Sequence, residues 1–181
     1  MTDRDSYTPG PASAQLTRTE GETWQFVLRK QLRHPPAKVW KAITDPAHLR
    51  EWAPFDAGSN LAVAGSTVKL TTVKTPQAYT AETRVTRADE PNLLEYSWGG
   101  NDMRWELEDY DGGTRLTLWA SINRNYISMG AAGWHICLDV LEHHLGGTPT
   151  GRIAGGDAMK FSGWQRLNAE YVKQFKQGDK P

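Results

Sequence analysis

From Gly130 to Gly147 the chain reads GAAGWHICLDVLEHHLGG, a stretch that demands cover on two sides. Ala131, Trp134, Leu138, Leu141 and Leu145 recur at three- and four-residue steps, which at ~100° per residue places them on one stripe of an α-helix. Ile136 and Val140 form a second strip on the far side, parted from the first by His135, Asp139, Glu142 and His143. Gly130 and Gly133 mark the start, and Gly146 and Gly147 follow the last turn, where a left-handed residue can end a helix. The remaining chain has to supply one layer for each strip.

The first layer is a sheet. Residues 22–33 alternate Trp24, Phe26 and Leu28 with polar residues, the pattern of a strand with one buried face. From Thr67 to Ile122 the period stays at two, and turn residues such as Asp89-Glu90-Pro91-Asn92, Gly99-Gly100 and Asp111-Gly112-Gly113 divide it into five strands of an antiparallel meander. A two-residue turn at Asp111-Gly112 pairs Leu107 with Leu116 and Trp105 with Leu118. A turn at Gly112-Gly113 pairs Leu107 with Leu118 and Trp105 with Ala120. Either register keeps the same inner face and leaves Trp119 outside, beside Arg115 and Thr117.

Pro36 and Asp45-Pro46 open two short helices that carry Val39, Trp40 and Ile43, then Leu49 and Trp52. Residues 53–66 read as a loop whose large apolar side chain is Phe55. Residues 148–157 read as a linker, after which Phe161, Trp164, Leu167, Tyr171 and Phe175 make an amphipathic helix to cover Ile136 and Val140. Residues 1–20 are polar, aperiodic and carry two prolines, the signature of a disordered or loosely docked tail. The expected organisation is a tail over 1–20, one domain over 21–147, and a linker and helix over 148–181 packed on that domain.

Twenty-one basic and twenty-one acidic residues cancel, so no net field draws nucleic acid. The single cysteine, Cys137, excludes a disulfide within the chain, and no run approaches ~18 apolar residues. A soluble, cytoplasmic protein without membrane insertion is the expectation. Eight tryptophans deliver much of the apolar content as indole, a common lining for pockets.

The order strand, two short helices, antiparallel strands, long helix is an α+β arrangement in which a curved sheet grips the helix. FVLRKQLRHPPAKVWKAITDPAHLREWAPFDA, PNLLEYSWGG, GTRLTLWAS and AAGWHICLDVLEHHLGG resemble, over about residues 22 to 147, the START-like (SRPBCC) superfamily. They are similar to its branch related to the carboxy-terminal domain of the activator of the ninety-kilodalton heat-shock protein ATPase. The resemblance implies a helix-grip fold with a cavity between sheet and long helix. Relatives use that cavity for hydrophobic ligands or as a cyclase active site, or use the domain to bind proteins.

On that expectation the ligand-binding residues are Trp52, Phe55, Tyr96, Trp98, Trp105, Leu118, Trp134 and Leu138, with Trp52 and Phe55 closing one mouth. A filled core satisfies the same pattern. His135, Asp139 and His143 at i, i+4, i+8 resemble metal-ligand spacing, but they span two turns and no second element supplies a ligand, so they read as a solvated face. No nucleophile elbow or phosphate loop occurs; Gly155-Gly156 lacks the lysine, and Cys137 reads as a small core residue. Glu95, Glu106 and Glu108 point outward by parity, while Asn101, Asp102 and Arg104 lie near the rim. A binding module for a small hydrophobic or amphipathic molecule, without catalytic residues, metal or cofactor, is therefore the first reading. A chaperone-activator-like interaction module, or self-association, through the outer face near Trp119 is the second, and a cyclase- or hydratase-like enzyme the third.

Overall fold

The computed structural model describes residues 6–178. Its main sheet is antiparallel with six strands in the order β1-β2-β9-β8-β7-β6. The strands are β1 (Gln15–Arg18), β2 (Thr23–Leu32), β6 (Arg87–Asp89), β7 (Leu93–Trp98), β8 (Asn101–Tyr110) and β9 (Gly113–Asn123). Phe26 and Leu28 on β2, Trp105 and Leu107 on β8, and Leu116 and Leu118 on β9 are buried on its inner face. The β8–β9 hairpin takes the Asp111-Gly112 turn, with both residues at positive φ (49° and 78°) as a type I′ turn requires. Leu107 accordingly pairs with Leu116 and Trp105 with Leu118.

The two short helices follow β2 as their prolines dictate. α1 (Pro36–Thr44) and α2 (Pro46–Trp52) bury Val39, Trp40, Ile43, Leu49 and Trp52. The Asp45 side chain caps α2 by accepting from the Ala47 N–H at 2.9 Å.

The expected single meander is divided. β4 (Thr67–Thr72) and β5 (Tyr79–Arg84) pair with β3 (Phe55–Ala57) in a separate three-stranded sheet. Alternation fixes which face of a strand is buried but not which edge it joins. Phe55 thus belongs to a strand rather than a loop, and Leu61 in the following loop is also fully buried. The small sheet meets the large one where the Thr83 hydroxyl accepts from the Ser97 N–H at 3.0 Å.

α3 (Ile127–Leu145) begins three residues before the glycine expected at its start, so Gly130 and Gly133 lie inside it. A Cβ at Gly130 would sit 3.1 Å from Ile122, which marks the close approach of helix and β9. Gly147, at φ 78°, closes the other end: Thr148 N–H reaches His143 O at 3.0 Å and Gly147 N–H reaches His144 O at 3.2 Å, a Schellman pair. From Ala131 to Leu141 every residue of α3 except Gly133 is buried.

α4 (Gly155–Met159) occupies the end of the expected linker, and α5 (Ser162–Gly178) packs along α3 through Leu167, Tyr171 and Phe175. The segment before Glu20 departs from expectation: residues 15–18 add a strand beside β2, and Tyr171 Oη accepts from the N–H groups of Ser13 and Ala14 at 3.0 Å each. Residues 1–5 of the expected tail lie outside the described residues. Among the described residues no helix is long and apolar enough to cross a membrane.

Candidate functional site

Trp134 projects from α3 into a knot of rings. Its centroid lies 5.6 Å from Trp105, 5.8 Å from Trp98, 6.4 Å from Trp52 and 6.5 Å from Phe55, mostly edge to face. Trp52 Nε1 donates to Ala42 O at 2.9 Å, and Trp105 Nε1 donates to Tyr96 Oη at 3.2 Å. Burial pushes the Tyr96 phenol above its usual range. The structure thereby divides the eight residues expected to line a cavity. All but Trp98 are buried, and of the eight only Trp98 and Trp134 border the apolar pocket beside the ring cluster.

That space is a pocket of about 560 Å³ on the flank of the ring cluster. One wall is α3, where Gly130, Gly133, Trp134 and Cys137 line the space. A Cβ built on Gly133 meets no atom within 4 Å, so the missing side chain is itself part of the volume. The facing wall runs from Ile153 through Gly155 and Ala158 to Trp164, and Pro76, Ile122 and Tyr126 close the ends.

The facing wall is held off α3 by two anchors. Arg152 donates from Nη2 to Leu49 O at 3.0 Å and to Asp56 Oδ1 at 2.7 Å, tying the segment before Ile153 to α2 and β3. Beyond Ala154, Gly156 N–H donates to Lys74 O at 2.8 Å, and Gly155 at φ 56° lies so near that a Cβ would fall 2.5 Å from the same oxygen. Only glycine fits there. The Gly155-Gly156 pair, which the sequence offers no phosphate-loop reading for, is a docking point for the β4–β5 loop.

The polar side of α3 is not the solvated face its composition implies. His135 and Asp139 are only 8% and 9% exposed, beneath α5 and the amino-terminal segment. Asp139 accepts from Tyr7 Oη and Lys30 Nζ, and Glu142 lies 3.4 Å from the same ammonium. Burial works against the Lys30 charge, yet Asp139 and Glu142 together hold its pKa above the ordinary value. Tyr171 Oη spends both lone pairs on Ser13 and Ala14, so at 3.0 Å it donates its proton to His135 Nδ1. That leaves Nε2 as the protonated nitrogen, 3.7 Å from Asp139. His143 stands edge-on to the Tyr7 ring, so the three residues with metal-like spacing serve different partners. Among the described residues no group of three or more His, Cys, Asp or Glu side chains is placed to hold a metal.

Cys137 faces the pocket wall, and burial pushes its thiol up to about 12, which removes it as a nucleophile near neutrality. Asp102 and Arg104 border a separate hollow on the outer face of the sheet with Trp119. There Arg104 lies over the Trp119 ring at 5.6 Å and donates to Glu95 at 2.9 Å and to Glu106. A larger polar cleft of about 990 Å³ opens beside the β8–β9 turn, with Arg33, Glu142 and His143 in its walls.

Residues 33–146 match the family described as activator of Hsp90 ATPase homolog 1-like protein. No curated protein matches the chain. Among solved structures, a conserved protein of unknown function from Enterococcus faecalis is similar at TM-score 0.69 and 18% identity, with 92% of each chain covered. CalU16 from Micromonospora echinospora is similar at TM-score 0.63 and 18% identity, covering 89% of this chain and 94% of that one. An AHSA1-like protein from Aeromonas hydrophila reaches TM-score 0.57 at 16% identity, covering 68% of this chain and 92% of that one. At such identities the likeness is one of fold.

Proposed function

The chain belongs to the activator of Hsp90 ATPase homolog 1-like family, and on that premise we propose that it is a non-enzymatic module that binds a small, mainly apolar molecule. The observation that carries this is the pocket between α3 and the segment from Ile153 to Trp164. Its volume of about 560 Å³ falls in the range of small-molecule sites, its wall is built of indole, glycine and aliphatic groups, and the Arg152 guanidinium and the Gly156 N–H anchor the facing wall. We propose a cytoplasmic setting, since the single cysteine, Cys137, can form no disulfide within the chain. Tryptophan fluorescence is the natural readout, because Trp98, Trp134 and Trp164 stand in the wall. Titration with long-chain alcohols, sterols and aromatic esters, beside native mass spectrometry of the protein as purified, is expected to show saturable quenching or a retained mass. Absence of both for every class overturns the reading.

The second reading is a protein-interaction surface around Trp119, favoured by an indole on the outer face of the sheet. Against it, Arg104, held by Glu95 and Glu106, lies over that ring. Pull-down with a chaperone ATPase and with a second copy of this chain tests it; equal capture by Trp119→Ser and the native protein removes the surface.

A further inference from the structure

Among the described residues, no Asp, Glu, Lys, Arg or His side chain borders the apolar pocket. Three charged groups that flank the wall in sequence are engaged elsewhere. Arg152 is bound to Asp56 and to the Leu49 carbonyl, and Lys74 and Asp157 pair at 4.0 Å across the outer side of the wall. An ionised ligand group would lose its hydration there and gain no counter-charge, a penalty severe enough to shift the group's own ionisation instead. The wall residues Trp98, Trp134 and Trp164 carry indole N–H groups that make no hydrogen bond within the described residues, so any donor the wall lends a ligand is neutral.

Ring geometry narrows the shape. Trp98 and Trp134 meet at 87° with centroids 5.8 Å apart, forming a corner in which a flat ring stacked on one indole presents its edge to the other. The same contact spends one ring face on its neighbour's edge, whereas an aromatic cage for a cation needs several faces turned to one point. We infer, resting on the pocket reading above, that the ligand class is neutral, flat and aromatic or quinonoid, carrying carbonyl or ether acceptors, and that the site rejects both carboxylates and ammonium groups.

Three probes of one skeleton test this on the full chain: methyl 2-naphthoate, 2-naphthoate and 2-naphthylmethylammonium, with 1-dodecanol as a neutral flexible control. Quenching at pH 7.5 is expected to show the ester binding at least about tenfold tighter than either ion and than the alcohol. Gly133→Leu, which fills open space in the wall, is expected to abolish the ester's advantage while its thermal midpoint stays at or above that of the native protein. Equal or tighter binding of an ion overturns the charge rule, and equal binding of dodecanol overturns the shape rule, while the pocket reading survives both. An ester preference that persists undiminished in Gly133→Leu places it elsewhere on the surface and overturns the inference. Binding of no probe overturns the inference, and the pocket reading falls with it only when the sterol titration and the native mass spectrum are blank as well.

Discussion

Gly133 shows how a single absent side chain creates a site. It lies in mid-helix with no atom near its missing Cβ, so alanine there adds no clash and removes the conformational freedom that glycine brings to the unfolded chain. Gly133→Ala is expected to stabilise the protein by about 0.5–1 kcal/mol in urea unfolding. A loss of stability instead would mean that the space is not open. Tyr171 is the opposite case, a side chain with every polar capacity used. Tyr171→Phe leaves the Ser13 and Ala14 N–H groups and His135 Nδ1 without partners and is expected to cost about 1–3 kcal/mol by the same measurement. Composition reveals neither role. A glycine in a helical pattern reads as a start signal, and an amphipathic tyrosine reads as cover, because both roles depend on what lies opposite.

Among elements, the contact of α2 with α3 carries the clearest electrostatic consequence. His48 Nδ1 and His144 Nε2 lie 2.9 Å apart, close enough to share one proton but not to hold two. Burial, then the neighbouring His48, lowers the His144 pKa below 6.5, with Lys38 acting the same way and Glu51 opposing. Burial likewise lowers His135, with Lys30 and Arg166 adding to it and Asp139 and Glu170 opposing. Both groups bind a proton less readily folded than unfolded, so their stability is fully present above about 6.5 and is lost as pH falls below it. The melting temperature is expected to hold between pH 7.5 and 8.5 and to decline from about pH 6.5 downward, with a shallower decline in His144→Gln. An identical decline in that variant would assign the effect elsewhere. Element identity was legible here: prolines placed α1 and α2, alternation gave the inner face of β2 and β7 to β9, and heptad-like spacing gave α5. Edge pairing was not, because β4, β5 and β7 carry the same alternation and nothing in it separates two sheets. Nor was β1 legible, since a polar edge strand four residues long has no apolar face to announce it.

At the scale of the whole molecule, α3 is gripped from two sides, by the sheet and by α5 with the amino-terminal segment, as its two apolar strips require. The aromatic residues visible in the sequence serve that grip more than they serve a ligand. Trp98 and Trp134 were recognisable as wall residues, but the facing wall comes from Ile153 to Trp164, whose position depends on Arg152 and on the Gly155 contact with Lys74. No periodicity encodes such anchors. The division between core and site predicts that stability and binding separate between two tryptophans of one cluster. Trp105, 1% exposed and bonded to Tyr96, fills closed space, so Trp105→Ala leaves a cavity and is expected to cost about 3–5 kcal/mol of unfolding free energy. It removes no atom from the pocket wall, so the protein that remains folded should bind methyl 2-naphthoate with native affinity. Trp98 is half-buried at the pocket's edge, and Trp98→Ala should lose most of that affinity at a smaller cost in stability. Paired urea unfolding and quenching titrations on both variants decide it. Affinity lost with Trp105 and kept with Trp98 would move the ligand from the flank into the ring cluster itself.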